Sequence, residues 1–320
     1  MPDWLSSLIQ TLILGLSTGS IYALIAVGYT MVYGVLRLIN FAHGDVYMVG
    51  AMMGAIIASW LGITTFGVGS GLLLLLCSMV ICGTLGFFIE LLAYRPIRHA
   101  DRINSLITAI GMSMLLMYGG QAVFGPTPRA FPQPDFGEGG PMLLSIGGVP
   151  DPVTGVMQGG ITLGKIDAVI IAVTLVLMLT LRYIVLHTRT GMALRAVSFR
   201  FDTASLMGIN INRIVSFTFV LGSVLAAAAG ILIALKFPRV DPMMGLMMGL
   251  KAFVAAVLGG IGNIAGAVLG ALLLGVTEVL VVTYIDGGSQ WRDGVAFAIL
   301  IAVLLLKPSG LLGDRTVEKV

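Results

Sequence analysis

Charge is what this sequence has least of. Only 10% of its 320 residues are Asp, Glu, Lys or Arg, against 58% hydrophobic, and the mean hydropathy is +1.03. A soluble domain carries charge on about a quarter of its residues. A chain this poor in charge has lipid as the solvent for most of its length. The net charge of +3 is small and dispersed, which excludes a nucleic-acid-binding face. Cysteine is scarce as well. Cys77 and Cys82 sit in one apolar run, where residues on a single helix cannot bridge, and no His or Cys cluster surrounds them. They read as small apolar fillers, and no metal site is expected. A basic leader is also missing: Asp3 stands near the N-terminus and no cleavage site follows, so the first apolar segment is expected to be a retained helix. Finally, no G-x-x-x-x-G-K-[ST] phosphate loop occurs, so any nucleotide site must lie on another polypeptide.

Two motifs imitate enzymes. Gly15-Leu16-Ser17-Thr18-Gly19 matches the nucleophile elbow of serine hydrolases, with His43 and Asp45 downstream, but the elbow needs a strand before its serine and this one lies inside a long apolar helix. Gly260-Ile261-Gly262-Asn263-Ile264-Ala265 imitates a dinucleotide fingerprint without the preceding strand, and reads as a helix break. No catalytic residues are expected.

What is abundant is long apolar runs and glycine, 43 in all. A spanning helix takes about 20 mainly apolar residues. Apolar segments fall at 8–35, 46–61, 71–93, 103–123, 166–186, 214–235, 246–258, 264–285 and 294–306. These predict an all-α membrane protein, a single transmembrane domain over 1–320 with about 8–9 transmembrane or half-membrane helices. The segments at 46–61, 246–258 and 294–306 are short for a straight crossing. Small residues recur at helical spacing, as in Gly15/Gly19, Gly50/Gly54, Gly245/Gly249, Gly266/Gly270 and Ala226–Gly230, which suits close helix contact in lipid.

Loop charge orients the chain. The connections holding Arg95, Arg98, His99 and Arg102, and Arg189, Arg195, Arg200 and Arg213 against Asp202, are basic and expected to be cytoplasmic. The Pro- and Gly-rich 124–165 stretch, with Asp135, Glu138 and Asp151 against Arg129 and Lys165, is expected outside. Parity then puts the N-terminus outside and the C-terminus, with Lys307, Arg315 and Lys319, in the cytoplasm.

A polar knot, Asn40 to Asp45, interrupts the apolar pattern after Arg37. Non-helical polar backbone at membrane depth must be covered by protein or line a water-filled cavity. Asn40, His43 and Asp45 are therefore translocation-path candidates, with capping of a helix start by Asn40 or Asp45 as the alternative role. Ionisable residues inside spans are functional candidates by default. Glu278 lies deepest, with Lys251 as a pairing partner. Glu90, near the end of its helix, suits a snorkelling or capping role.

Tyr29-Thr30-Met31-Val32-Tyr33-Gly34 followed by Ile39-Asn40-Phe41-Ala42-His43-Gly44 resembles the N-terminal signature of the membrane subunits of branched-chain amino acid ABC importers, the LivH type. Thr190-Gly191-Met192-Ala193-Leu194-Arg195-Ala196, continuing through Asp202 and Gly208, looks like that family's ATPase-coupling loop, here 187–213. Lys251–Gly260 and Gly266–Ala271 are similar to the second half of the wider permease superfamily, which includes ribose-type permeases. The resemblance covers nearly the whole chain and is weakest over 124–165. It implies two repeats of opposite topology, of which the breaks at Asn40–Gly44 and Pro242–Gly249 are a faint trace. It also implies coupling to an ATPase through Gly191, Leu194, Arg195, Asp202 and Gly208.

The implied partners are a second permease subunit of the LivM type, two ATP-binding cassette subunits that carry ATP and Mg, and a periplasmic substrate-binding protein. This chain would bind no cofactor of its own. The implied location is the bacterial inner membrane. A permease for urea or short amides of the same superfamily is the nearer alternative reading, and an ion-coupled secondary transporter the more distant one.

Overall fold

The computed structural model describes residues 3–98, 100–136, 141–146, 149–150, 157–158 and 160–313. Of the charges used to orient the chain, His99, Glu138, Asp151, Arg315 and Lys319 lie outside the described residues. Eleven α-helices are formed among them: α1 (Asp3–Leu36), α2 (His43–Trp60), α3 (Val68–Ile89), α4 (Arg102–Phe124), α5 (Lys165–His187), α6 (Arg189–Phe199), α7 (Phe201–Leu206), α8 (Ile211–Lys236), α9 (Met244–Gly259), α10 (Ile264–Tyr284) and α11 (Gly288–Leu306). Seven of them, α1, α3, α4, α5, α8, α10 and α11, are long and apolar enough to cross a membrane. The chain is a multi-pass membrane protein. The two remaining helices of the apolar pattern fall short for different reasons. The α2 helix places His43, Gly44 and Asp45 in its first turn, and α9 has only 16 residues. By contrast α11 is longer than its apolar run, because Gly288–Asp293 continues the helix with polar side chains.

Short strands occupy the connections: β1 (Thr65–Phe66), β2 (Arg129–Ala130), β3 (Gln133–Pro134), β4 (Met142–Ile146), β5 (Val149–Pro150), β6 (Met157–Gln158), β7 (Ile161–Gly164) and β8 (Arg239–Val240). Within the 124–165 stretch β4 pairs antiparallel with β7, and β5 with β6. The pairs β1–β3 and β2–β8 tie this stretch to the α2–α3 and α8–α9 connections, so all three lie at one end of the bundle. The two basic connections lie at the other end of α3, joined by a 2.7 Å hydrogen bond from Arg98 to Asn212 Oδ1.

The core has a reciprocal plan. The first four helices and the last four pack across one another: α3 lies along α8, α10 lies along α1, and α2 meets α9. The α1 and α8 helices run antiparallel, with Gly28 beside Gly222 and Ser17 hydrogen-bonded to Lys236. The two halves thus interlock rather than stack as separate bundles. Small residues at the crossings let the backbones close up. A Cβ on Gly15 would fall 2.6 Å from the Cα of Val276, and one on Gly50 2.6 Å from the Cα of Ala227. The α4, α5 and α11 helices are the most exposed spans of the chain.

The chain's three tryptophans, Trp4, Trp60 and Trp291, are all exposed at the end of the bundle that carries the strands. Their placement follows from the Tyr284–Ser7 and Thr162–Gln10 hydrogen bonds, which join the ends of α10, β7 and α1 there. Tryptophan concentrates at membrane–water interfaces, where its ring is apolar and its N–H is wet.

Candidate functional site

After α1 the chain reverses at Arg37, a non-glycine residue in the left-handed region (φ 56°), and returns through Asn40 to start α2 inside the protein. On the opposite side, the chain after α8 passes β8 and starts α9 with Gly245 and Gly249 turned inward and Met243, Leu246 and Met247 exposed. The two starts meet. A Cβ on Gly44 would fall 2.6 Å from the Cα of Gly249, and one on Gly245 would fall 2.8 Å from the carbonyl of Gly44. Only glycine permits that approach. Asp45 at this junction bonds Ser113, midway along α4, and the neighbouring Gly222 is midway along α8. The meeting point therefore sits at mid-depth, with two helix N-termini facing it.

Asn40, His43 and Asp45 are buried around this junction, and none of them caps a helix. Asn40 Oδ1 accepts from the Tyr94 hydroxyl at 2.7 Å, which holds the returning segment against the end of α3. His43 packs edge-on against Tyr29, with ring centroids 4.8 Å apart. Its Nε2 fits the space a Gly28 side chain would fill and has no hydrogen-bond partner. Asp45 Oδ2 accepts from Ser113 Oγ at 2.5 Å, while its Oδ1 has no partner.

Lys251 and Glu278 form a different cluster between α1, α9, α10 and α11. Lys251 Nζ lies 3.0 Å from Glu278 Oε1 and 2.6 Å from Asp293 Oδ1. The contact to Oε1 is an ion pair outside hydrogen-bonding geometry. Glu278 Oε2 accepts from Arg292 Nε at 2.9 Å and from the Tyr22 hydroxyl at 2.8 Å. The partners account for the burial of Glu278: two cations balance its charge and that of Asp293, as burial requires.

Glu90 is the counterpart in the first half. It is fully buried, rather than snorkelling, in a π-helical turn (Glu90–Tyr94) that ends α3. It accepts from Arg95 at 2.8 Å, Arg98 at 2.6 Å and Ser216 at 2.6 Å. Its hydrogen bond raises the Arg95 guanidinium further above its ordinary value, while burial lowers that of Arg98.

The 187–213 connection forms α6 and α7. Thr188 caps α6 by accepting from the Gly191 amide. Gly191, Leu194 and Val197 are buried on the inner face, and a side chain at Gly191 would strike the carbonyls of Ile184 and Val185. Arg195, Asp202 and Gly208 are exposed, with Gly208 at φ 81° ending α7. Beside them stand Phe199, Leu206 and Met207, at 83%, 88% and 79% exposure. Leu206 lies in the stretch that resembles the coupling loop, whereas the sequence alone does not single out Phe199 and Met207. Spacing was the available signal, since i, i+3, i+6 from Gly191 defines the inner face of α6 and leaves Phe199 off it. Among the described residues, no group of three or more His, Cys, Asp or Glu side chains is placed to hold a metal ion.

A multi-span bundle of interlocked halves around an occluded junction is the build of a membrane permease. Residues 11–304 match the family described as branched-chain amino acid transport system / permease component. The chain is 40% identical to the high-affinity branched-chain amino acid transport system permease protein LivH of Escherichia coli K12, over 98% of this chain and 97% of the relative. Identity to the corresponding protein BraD of Pseudomonas aeruginosa is also 40%, over 98% of each. A solved structure, PsaBC from Streptococcus pneumoniae in complex with Fab, aligns with a TM-score of 0.43 at 13% identity, covering 97% of this chain and 93% of the other. The chain belongs to the family of permease components of branched-chain amino acid transport systems.

Proposed function

We propose that this chain is one membrane-spanning subunit of an ATP-driven, binding-protein-dependent importer of leucine, isoleucine, valine and related apolar amino acids. The carrying observation is the end-to-end similarity to two proteins named as high-affinity permeases for this substrate class. A second permease subunit of the LivM type would complete the pore, and two ATP-binding cassette subunits would hold ATP and Mg. The end with the two basic connections faces the cytoplasm of a bacterium, by the positive-inside rule, and the strand-bearing end meets a periplasmic binding protein.

The α6–α7 pair is the ATPase-docking element. Arg195 and Asp202 supply charged contacts, Gly208 the turn, and Phe199, Leu206 and Met207 an apolar surface that an aqueous loop has no other reason to expose. Gly191 and Leu194 contribute by fixing α6 to the bundle. Motion of the docked ATPases then reaches α1, α5 and α8, against which α6 rests.

The test is reconstitution of the full complex in proteoliposomes, comparing leucine with urea. Leucine uptake and leucine-stimulated ATP hydrolysis are expected. Stimulation by urea alone would replace this reading with the amide one.

A further inference from the structure

Three carboxylates are buried among the described residues: Asp45, Glu90 and Glu278. Glu90 has two cationic partners, Arg95 and Arg98. Glu278 also has two, Lys251 and Arg292. Asp45 has none, although it is 1% exposed. Its Oδ2 is held by Ser113, and its Oδ1 is left without a hydrogen bond beside Gly245, in the first turn of α9. A charged group at membrane depth is costly unless paired, and such groups mark transport paths. Packing gives no reason for a carboxylate here, because an amide would accept the Ser113 hydrogen bond equally well.

The geometry points to Asp45 as the group that receives the α-ammonium of a zwitterionic substrate crossing the α2–α9 junction. This rests on the importer reading and deepens it. A free amino acid presents one ammonium and one carboxylate, and a path through lipid depth must answer both. Asp45 Oδ1 answers the first. The starts of α2 and α9 answer the second: they face each other here, neither has a side-chain cap, and helix N-termini attract carboxylates. In this structure Gly44, Gly245 and Gly249 close the junction. The substrate occupies it only when α2 and α9 part. Urea can donate N–H hydrogen bonds to Asp45 but brings no cation to pair with it, so the charge of this residue favours amino acids over amides.

The test uses the complete complex with its binding protein. Asp45→Asn keeps the Ser113 hydrogen bond and removes the charge. Leucine imported per ATP hydrolysed is expected to fall at least tenfold, and Asp45→Glu to recover part of it. Wild-type uptake by Asp45→Asn overturns the proposal. An independent arm uses Ser113→Cys, which leaves the Asp45 carboxylate in place beside the probe, with Cys77→Ala and Cys82→Ala. A cationic methanethiosulfonate should label Cys at this position during turnover, and saturating leucine should slow that labelling. Equal labelling with and without leucine, or none in any nucleotide state, overturns the proposal even if the Asn variant fails to assemble. Failure of the importer reading is seen separately, as an unmutated complex that imports urea and not leucine.

Discussion

Glu90 on α3 and Ser216 on α8 share a 2.6 Å hydrogen bond that joins residues 126 positions apart. The matching bond in the other half links Glu278 on α10 to Tyr22 on α1 at 2.8 Å. Each half of the chain thus anchors one of its helices to the other half through a buried glutamate. The first anchor sits by the basic connections and the second by the strand-bearing end.

Removing either glutamate leaves buried cations short of a partner. Glu278→Gln takes the carboxylate from Arg292 and leaves Lys251 with Asp293 alone, and breaking a buried pair in this way costs about 3–5 kcal/mol. A clear fall in thermal unfolding temperature in detergent is expected. Tyr22→Phe should cost only about 1 kcal/mol, since it removes one hydrogen bond. Combining the two should cost less than their sum, because they share one network.

The α2–α9 junction depends on missing side chains. Gly44→Ala puts a methyl group where Gly245 and Gly249 already lie. Overpacking of this kind costs about 1–3 kcal/mol. Leucine uptake is expected to drop sharply and unfolding temperature to fall. Gly119→Ala, where a Cβ meets nothing within 4 Å, should leave both unchanged.

On α6 the two faces should fail differently. Leu194→Asp puts a charge into a buried face and should reduce the amount of folded protein in the membrane. Leu206→Ser with Met207→Ser should leave that amount intact while weakening co-purification of the ATPase subunits. Arg195→Glu together with Gly208→Val should leave ATP hydrolysis running without uptake. Normal uptake in that last variant would remove α6–α7 from the coupling role.

The tryptophans give a direct reading of orientation. With all three at one end, iodide added outside right-side-out vesicles should quench most of the intrinsic emission. Quenching only by iodide trapped inside would place the strand-bearing end in the cytoplasm and reverse the topology.

Local patterns carried much of this in the sequence. Apolar length marked the spans, and the polar knot marked Asn40, His43 and Asp45. Pairing of Lys251 with Glu278 was legible because both interrupt apolar runs. The contribution of Arg292 was not, since its place in the first turns of α11 looked like loop. The encounter of Gly44 with Gly249 was beyond reach for a different reason. Two glycines separated by the whole central part of the chain leave no periodic trace, and their closeness depends on crossings that only the folded bundle defines. Gly191 illustrates a third case: the residue was visible, but its spacing to Leu194 and Val197 assigns it to the side facing the protein.

The reciprocal plan also bears on how such a chain is made. The α1 helix leaves the ribosome well before the partners of its polar side chains. Ser17 waits for Asp167 and Lys236, and Tyr22 for Glu278. Insertion can proceed helix by helix, because each long span is apolar enough to sit in lipid alone. Assembly cannot. A half-synthesised chain holds unpaired polar groups and bare glycine faces in the bilayer, open to the wrong neighbour until the final helices arrive. A biogenesis factor that shelters early helices would therefore matter more for this architecture than for one whose neighbours in sequence are also neighbours in space.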